Sequence, residues 1–146
     1  MSSSDVIHGK EANSLASLRR LVQQRDEADQ ALLRIVNTTR QTELGDRIET
    51  ADRGPRRRKG LLGRDALAPG QGLWIVPCEA VHTFAMRFAI DLVYLDRKRR
   101  VLKVRHSVPP GRISACLRAH SVIELPAGTV RQAHVNPGDL LEFESI

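Results

Sequence analysis

Residues 77–96 read PCEAVHTFAMRFAIDLVYLD, and this stretch raises both the question of the fold and the question of a site. Its second half, IDLVYL, is apolar except for Asp91 and has the length of a buried β-strand. Its first half carries Cys78, His82 and Met86 at intervals of four residues, and it also reads as a strand. We therefore predict two core strands joined by a bend near residues 87–89.

The rest of the chain after residue 70 continues this β pattern. The candidate strands are GLWIVPC, VHTFAMR, IDLVYLD, RVLKVRH, SVIELP and DLLEFES. They are separated by PG, PPGR, PAG and NPGD, which are turn-forming sequences. Several short strands at this spacing predict a β-sandwich or barrel rather than a βαβ fold. Within this region only TVRQAHV is expected to form a helical turn.

Upstream of residue 70 the pattern predicts two further strands and one short helix. The segments ALLRIVNTT and LGDRIETAD alternate apolar and polar residues on either side of a polar turn. In the segment RGPRRRKGLLGRDAL, Pro55 suits the first turn of a helix, and Gly60 or Gly63 suits its end. We expect a short basic helix there.

The first thirty residues look like an addition to the β domain. Residues 1–10 are rich in serine and are predicted to be a disordered tail. Leucine and valine recur near helical spacing in residues 11–30, which predicts a peripheral N-terminal helix. Residues 31–146 are predicted to form a single mainly β domain. The N-terminal helix is the element through which we would expect any oligomer to form.

Composition and charge restrict the class of protein. The chain has 146 residues, of which 41% are hydrophobic and 27% charged, as in one soluble globular domain. Its net charge of +6 allows attraction to nucleic acid, anionic lipid or acidic ligands. Aromatic residues make up only 3%, which disfavours a stacking surface for single-stranded nucleic acid.

The cysteines and the hydropathy indicate a reducing compartment. There are two cysteines, Cys78 and Cys116, and no Cys-x-x-Cys pair, so neither a zinc ribbon nor a thioredoxin motif is available. No run approaches the roughly 20 apolar residues of a membrane-spanning helix. The first residues also lack the apolar segment of a secretion signal. We therefore predict a cytoplasmic protein with no membrane span.

Three motifs resemble a known family. They are GLLGR at 60–64, the stretch 77–96, and VIELPAG at 122–128 followed by PGD at 137–139. Together they resemble the bacterial and archaeal domain of unknown function 192, DUF192, over about residues 33–143. The resemblance implies a compact, mainly β domain of sandwich or barrel type with one or two short helices. It implies no reaction.

The chain departs from the family pattern at two positions. Ala89 stands where relatives commonly have a proline before the Ile-Asp pair. Arg99, in DRKRR, stands where relatives usually have a turn glycine. A tight hairpin turn of the primed type favours glycine because it requires a positive φ. We therefore expect a wider loop at Arg99.

Cys78, His82 and Met86 carry soft ligands of the kind that suit copper or zinc. On one flat strand, however, residues four apart are separated by about 13 Å, so the three side chains do not meet at one ion. Cys78 and His82 could instead act as nucleophile and base, with Asp91 or Glu124 orienting the histidine. The simplest alternative is that Phe84 and Met86 belong to the core, that Cys78 is a small buried hydrophobic residue, and that His82 bonds a backbone group.

Asp91 and Glu124 are polar exceptions in apolar strands. A buried carboxylate must be paired or hydrogen-bonded, because an unpaired buried charge is very costly. Two interpretations stay open. The acids are either members of a structural network or an acid–base pair that lines a pocket. The candidate partners in such a network are Arg64, Arg87, Arg112 and His82.

Basic residues form the third candidate site. Residues 97–118 contain eight Lys or Arg residues and no acid, and RRRK occupies residues 56–59. If the two runs lie on one side of the domain, they would hold phosphate, anionic lipid or nucleic acid. The alternative is a solvated hairpin tip and a solvated helix face.

The sequence best fits a non-enzymatic accessory or binding protein for a small or anionic ligand. The residues predicted to bind the ligand are Trp74, His82, Met86, Asp91, Glu124 and Arg64. The residues predicted to bind an anion are Arg97, Lys98, Arg99, Arg100, Lys103 and Arg105. We assign no catalytic residue, metal or cofactor. The alternatives are a small metal-dependent or hydrolase-like enzyme using His82, Asp91 and Glu124, and weak, sequence-independent nucleic-acid binding through the arginines.

Overall fold

The computed structural model describes residues 14–22 and 31–146 of the chain. Residues 14–22 form a helix, α1, within the range where a helix is predicted. The predicted tail, residues 1–10, lies outside the described residues, as do both ends of the predicted N-terminal helix. The chain divides into two compact units, Met1–Gln30 and Ala31–Ile146. A role of α1 in oligomer formation stays a prediction.

The second unit is mainly β, as predicted, and contains nine strands and two short helices in the part described. The strands are β1 Leu33–Asn37, β2 Thr42–Ala51, β3 Gln71–Ile75, β4 Ala80–His82, β5 Ile90–Leu95, β6 Val101–Val108, β7 Ile113–Ala115, β8 Ser121–Pro126 and β9 Leu141–Ser145. The helices are α2 Gly54–Lys59 and α3 Thr129–Gln132.

Seven strands form one curled sheet in the order β6-β5-β8-β3-β2-β1-β9, and β4 and β7 form a separate hairpin-like pair. Neighbours in the large sheet are antiparallel except β2 and β3, which are parallel. The two edge strands approach each other at a bridge between Arg100 and Leu140. This bridge brings the sheet into the shape of a half barrel.

The curled sheet is buried on both faces, and each face has its own core. On β5, Leu92 and Tyr94 pack into one core while Val93 and Leu95 pack into the other, as the two-residue period of a strand requires. We call the side with Val93 the α3 face, because its core includes Val130 of α3. We call the side with Leu92 the β4–β7 face, because Val81 of β4 packs against it.

The predicted short basic helix is confirmed as α2. Pro55 lies in its first turn, where the missing N–H costs nothing, and Gly60 ends it with a φ of 50°. The last turn of the helix is entirely basic. The predicted helical turn in TVRQAHV is likewise confirmed as α3.

The predicted strand VHTFAMR is wrong beyond His82. Strand β4 ends there, and Ala85 adopts a φ of 59° in the turn that follows. The hydroxyl of Thr83 explains the change, because it donates to the carbonyl of Pro109 at 2.7 Å and accepts the N–H of Arg112 at 2.9 Å. These bonds tie the segment to the loop before β7, a strand that we did not predict.

The turn at Arg99 is one residue longer than a two-residue primed turn, as expected, because the N–H of Asp96 donates to the carbonyl of Arg100 at 3.0 Å and encloses three residues. Arg99 itself adopts a φ of 64°, and its N–H donates to the carbonyl of Asp96 at 3.1 Å. The Asp96 side chain accepts the N–H groups of Lys98 at 2.8 Å and Arg100 at 2.9 Å. These bonds hold a tight turn without the usual glycine.

Among residues 14–22 and 31–146, no helix is long and apolar enough to cross a membrane.

Candidate functional site

A cavity of about 290 Å³ lies on the β4–β7 face, where α2, β4 and β8 meet. Its lining combines apolar side chains with a carboxyl group, a thiol, an imidazole and basic side chains. The residues that matter most below are Arg58, Gly60, Val81, His82, Met86 and Glu124. This cavity collects three of the six residues that the sequence predicts as ligand-binding, namely His82, Met86 and Glu124.

Glu124 is the buried polar group of the cavity. It lies in β8 between Leu73 of β3 and Leu92 of β5, and only 4% of its surface is exposed. Its Oε2 atom is buried and has no hydrogen-bond partner in the described part of the chain. Burial raises the pKa of Glu124 to about 7, although the nearby Arg64 opposes the shift. The carboxyl group is therefore poised to change protonation near neutral pH.

Arg64 does not bond to Glu124. Its Nη2 donates instead to Oε2 of Glu49 at 2.5 Å, and both side chains are about one-third exposed. Arg64 does not line the cavity. It influences the Glu124 carboxyl group only through its charge, so the site residue predicted as an ion-pair partner is committed elsewhere.

Helix α2 supplies one wall of the cavity. Gly60, which caps the C-terminus of the helix, lies so close that a Cβ atom built there would be 3.6 Å from Oε2 of Glu124. The preceding residues, Arg57, Arg58 and Lys59, line the same wall. Arg57 donates to the carbonyl of Pro77 at 3.3 Å. The basic helix and the buried acid therefore face one concavity.

Cys78, His82 and Met86 all line this cavity, although an unbroken strand would have separated them. The Cys78 thiol donates to the carbonyl of Ala80 at 3.2 Å, and burial raises the pKa of the thiol. Burial is the dominant influence, and it favours the neutral thiol over the nucleophilic thiolate. His82 stacks on Phe84, with ring centroids 5.3 Å apart. In the described ranges no three His, Cys, Asp or Glu side chains are grouped to hold a metal ion.

Asp91 is fully buried on the α3 face, away from Glu124. Its carboxylate accepts three backbone N–H groups, from Ser107 at 2.8 Å, Gly128 at 3.1 Å and Val130 at 2.9 Å. It thereby anchors the start of α3 and the end of β6 to the sheet. The structure does not bring Asp91 and Glu124 together as an acid–base pair.

Trp74 also lies on the α3 face, because it alternates with Leu73 and Ile75 along β3. Its ring packs edge-on against Phe143, with centroids 4.7 Å apart. The guanidinium group of Arg99 covers the pair, 4.3 Å from the centroid of Phe143 and 5.6 Å from that of Trp74. Trp74 therefore does not line the cavity.

The residues predicted to form one anion-binding face are divided by the fold. Arg99 covers the aromatic pair, and Arg100 donates to the carbonyl of Gly138 at 2.7 Å. Lys103 donates to the carbonyl of Ala115 at 2.8 Å. Arg105 of β6 pairs with Leu92 of β5, so it lies on the same face of the sheet as Lys103, which pairs with Tyr94. Only the remaining two, Arg97 and Lys98, line a cleft together.

Sequence reasoning missed Gly60 and the basic wall as parts of the cavity. The helix itself was predictable from its proline and glycines, but nothing in RRRKG indicates that it lies beside β8. His120 was missed as well, although it lines the cleft that holds Arg97, Lys98 and Arg118. It occupies the segment before β8, which has no periodicity to indicate a direction.

Comparison with solved structures shows the same fold in proteins of low sequence identity. A candidate transcription regulator from Sinorhizobium meliloti 1021 matches with a TM-score of 0.67 and 24% identity, covering 76% of this chain and 91% of that one. A protein of unknown function from Novosphingobium aromaticivorans DSM 12444 matches with a TM-score of 0.64 and 20% identity, covering 75% and 82%.

Sequence comparison identifies archaeal relatives. A UPF0127 protein from Pyrococcus abyssi is 31% identical over 116 residues, which cover 75% of this chain and 96% of the relative. A UPF0127 protein from Thermococcus kodakarensis is 26% identical and covers 75% and 72%. The model of the family DUF192, described as uncharacterized ACR, matches residues 35–143. The resemblance seen in the motifs is thus confirmed, and the chain belongs to the DUF192 family.

Proposed function

We propose that this protein is a non-enzymatic binding domain for a small molecule, which occupies the cavity between α2, β4 and β8. The observation that carries the proposal is Glu124, whose Oε2 is buried without a partner at the cavity. The bound molecule would supply the missing hydrogen-bond donor.

Glu124 is difficult to explain as a packing residue. Its neighbours across the sheet are Leu73 and Leu92, and Val122 precedes it on the same face of β8. Burying a carboxyl group without a hydrogen bond costs free energy, whereas an apolar side chain would stabilise this position. A strongly raised pKa in a concave site is a common property of functional residues.

The lining also suggests the chemistry of the ligand. Val81, Met86 and Leu61 offer an apolar surface, and the exposed Arg58 and Lys59 lie at the edge of the cavity. A volume of about 290 Å³ is at the small end of ligand pockets. These features fit a compact molecule with a hydrogen-bond donor at one end and an anionic group at the other. Amino acids and hydroxy acids are the simplest examples.

A hydrolase-like role has less support from the same residues. An activated thiol needs a nearby base and a lowered pKa, whereas burial raises the pKa of Cys78. Asp91, a proposed member of the enzyme site, is held by three backbone N–H groups on the other face. The binding role therefore accounts for more of the cavity.

Methionine methyl NMR tests the proposal, because the chain has two methionines, Met1 and Met86, and Met86 lines the cavity. Methyl-labelled protein would be titrated with leucine, valine, 4-aminobutyrate and lactate. At least one probe should shift the Met86 resonance with a Kd of roughly 1 mM or tighter. Trp74, the single tryptophan, lies on the other face, and its fluorescence should not change.

The matched variants are Glu124→Gln and Glu142→Gln, the second on the exposed surface of β9. E124Q should weaken the binding of that probe by about tenfold, because it replaces one acceptor oxygen with a donor. E142Q should bind like the wild type. Absence of any shift, or an equal effect of both variants, would contradict the proposal.

A further inference from the structure

A second concavity, which we call the basic cleft, lies between the turn that follows β5 and the segment that precedes β8. It has a volume of about 440 Å³ and is lined by Asp96, Arg97, Lys98, Arg118, Ala119 and His120. We propose that the basic cleft binds the phosphate group of a small phosphorylated molecule. It shares no residue with the cavity of Glu124, so the inference stands independently of the proposed function.

The cations of the basic cleft are free to bind a ligand. Arg97, Lys98 and Arg118 are exposed, and their side chains form no ion pair or hydrogen bond with the described residues. Other basic residues of the same region are engaged, since Arg100 and Lys103 donate to backbone carbonyls. The cleft thus brings three uncommitted cationic side chains to one concavity.

The single acid of the cleft does not cancel this charge. Asp96 directs Oδ1 at the backbone N–H groups of Lys98 and Arg100, at 2.8 and 2.9 Å. Its carboxylate therefore closes the turn instead of pairing with a side chain. Two arginines and one lysine face a single carboxylate, which leaves a net positive site.

Both segments that carry the cations are held in place by backbone hydrogen bonds. The N–H of His120 donates to the carbonyl of Leu95 at 2.8 Å, and the carbonyl of His120 accepts the N–H of Cys78 at 2.9 Å. The N–H of Ala119 donates to the carbonyl of Cys116 at 2.9 Å. The first of these bonds joins the end of β5, where the turn begins, to the segment of Arg118. The two backbone segments are therefore held in place before any ligand arrives, so binding has to order only the side chains.

The chemistry of the cleft fits phosphate. A guanidinium group presents paired N–H donors that match two oxygens of a phosphate, and Lys98 adds a compact charge. His120 also lines the cleft and adds an imidazole to its polar groups. A phosphate monoester or a diphosphate carries about two or more negative charges and would use all three cations.

A small ligand fits better than a nucleic acid. Apart from the imidazole of His120, the cleft lining has no aromatic ring on which a base could stack. The three cations lie in one concavity, whereas a nucleic acid requires a track of charges along its backbone. Of the other basic residues of this region, Arg99 lies on the aromatic pair, and Arg100 and Lys103 donate to backbone carbonyls.

Titration calorimetry with pyrophosphate tests the inference on the full chain. The test variant is Arg97→Ala with Arg118→Ala, and the control is Arg53→Ala with Arg131→Ala. The control removes the same charge from two exposed arginines that line neither concavity. We expect R97A/R118A to weaken binding by at least about tenfold, since each bond to a charged group contributes measurably. The control should stay within about twofold of the wild type, as expected for screened distant charges.

Thermal melting separates loss of binding from loss of fold, and neither double variant should lower the melting temperature, because all four side chains are exposed. Equal weakening by both variants, or no heat of binding with the wild type, would overturn the inference. A single-stranded oligonucleotide provides the last arm. The small-molecule assignment would be overturned if the oligonucleotide bound more tightly than pyrophosphate and the slope of its affinity with salt corresponded to more than about three neutralised phosphates.

Discussion

Asp91 of β5 and Glu124 of β8 lie on neighbouring strands of one sheet but project from opposite faces. Glu124 pairs with Leu92, the residue that follows Asp91, and Asp91 pairs with Leu125. Paired residues share a face of the sheet, whereas successive residues of a strand alternate between faces. Both carboxyl groups are buried. Asp91 accepts three backbone N–H groups, whereas Oε2 of Glu124 has no partner within the described ranges. The contrast separates an acid that holds the fold together from one that the proposed ligand would explain.

Stability should depend on pH through Glu124. In the unfolded chain this carboxyl ionises near 4.5, while burial raises its pKa to about 7 in the folded protein. Between these values the folded protein keeps a proton that the unfolded chain has released, so stability falls as pH rises. The fall should reach up to about 3 kcal/mol by pH 8, counting 1.36 kcal/mol for each pKa unit.

Urea unfolding of the wild type and of E124Q from pH 4.5 to pH 8 measures this dependence. The glutamine does not titrate, so the difference between the two free energies of unfolding isolates Glu124 from the histidines. We expect that difference to change across the interval. Parallel curves for the two proteins would show that the carboxyl group has an ordinary pKa.

Replacing Asp91 should damage the fold rather than the cavity. Asp91→Ala removes the acceptor of three backbone N–H groups, one buried and two partly buried, and each loss costs about 1 kcal/mol or more. We expect a loss of roughly 3 kcal/mol or more in the free energy of unfolding. The control, Asp52→Ala, removes an exposed carboxylate and should change stability by less than about 0.5 kcal/mol. A D91A protein as stable as D52A would contradict this role.

Arg99 should show two opposing effects. Arg99→Ala keeps the positive φ but removes the guanidinium group from Phe143 and Trp74, at a cost of about 1 kcal/mol. Arg99→Gly loses the same contact but relieves the backbone conformation, which glycine adopts readily. Thermal melts should therefore rank R99G above R99A. The reverse order would mean that the turn is not strained.

The β fold was predictable because its signals are local. Strands such as IDLVYL and SVIELP alternate between two buried faces, and glycine and proline punctuate the turns between them. The end of β4 was not predictable from such a pattern. It depends on Thr83 bonding to Pro109 and Arg112, about thirty residues away. The short β7 was missed because its exposed Ile113 breaks the expected alternation.

The candidate site was predictable only in part. Glu124 stood out as a charge in an apolar strand, and alternation assigned it to the face of Val122. The sequence could not indicate that Gly60 approaches this carboxyl, because the contact depends on where α2 lies over the sheet. It also could not separate Trp74 from the cavity, since that requires knowing which face of β3 the cavity occupies.

The proposed binding role implies that Glu124 is retained at a cost to stability. Glu124→Leu probes this cost through the free energy of urea unfolding at pH 8, with Glu142→Leu on the surface as the control. We expect E124L to be more stable than the wild type by about 1–3 kcal/mol, because an apolar side chain replaces a buried carboxylate whose Oε2 has no partner among the described residues. A loss of more than about 1 kcal/mol in E124L, with E142L unchanged, would show that the carboxyl group stabilises the fold and would contradict the proposed role.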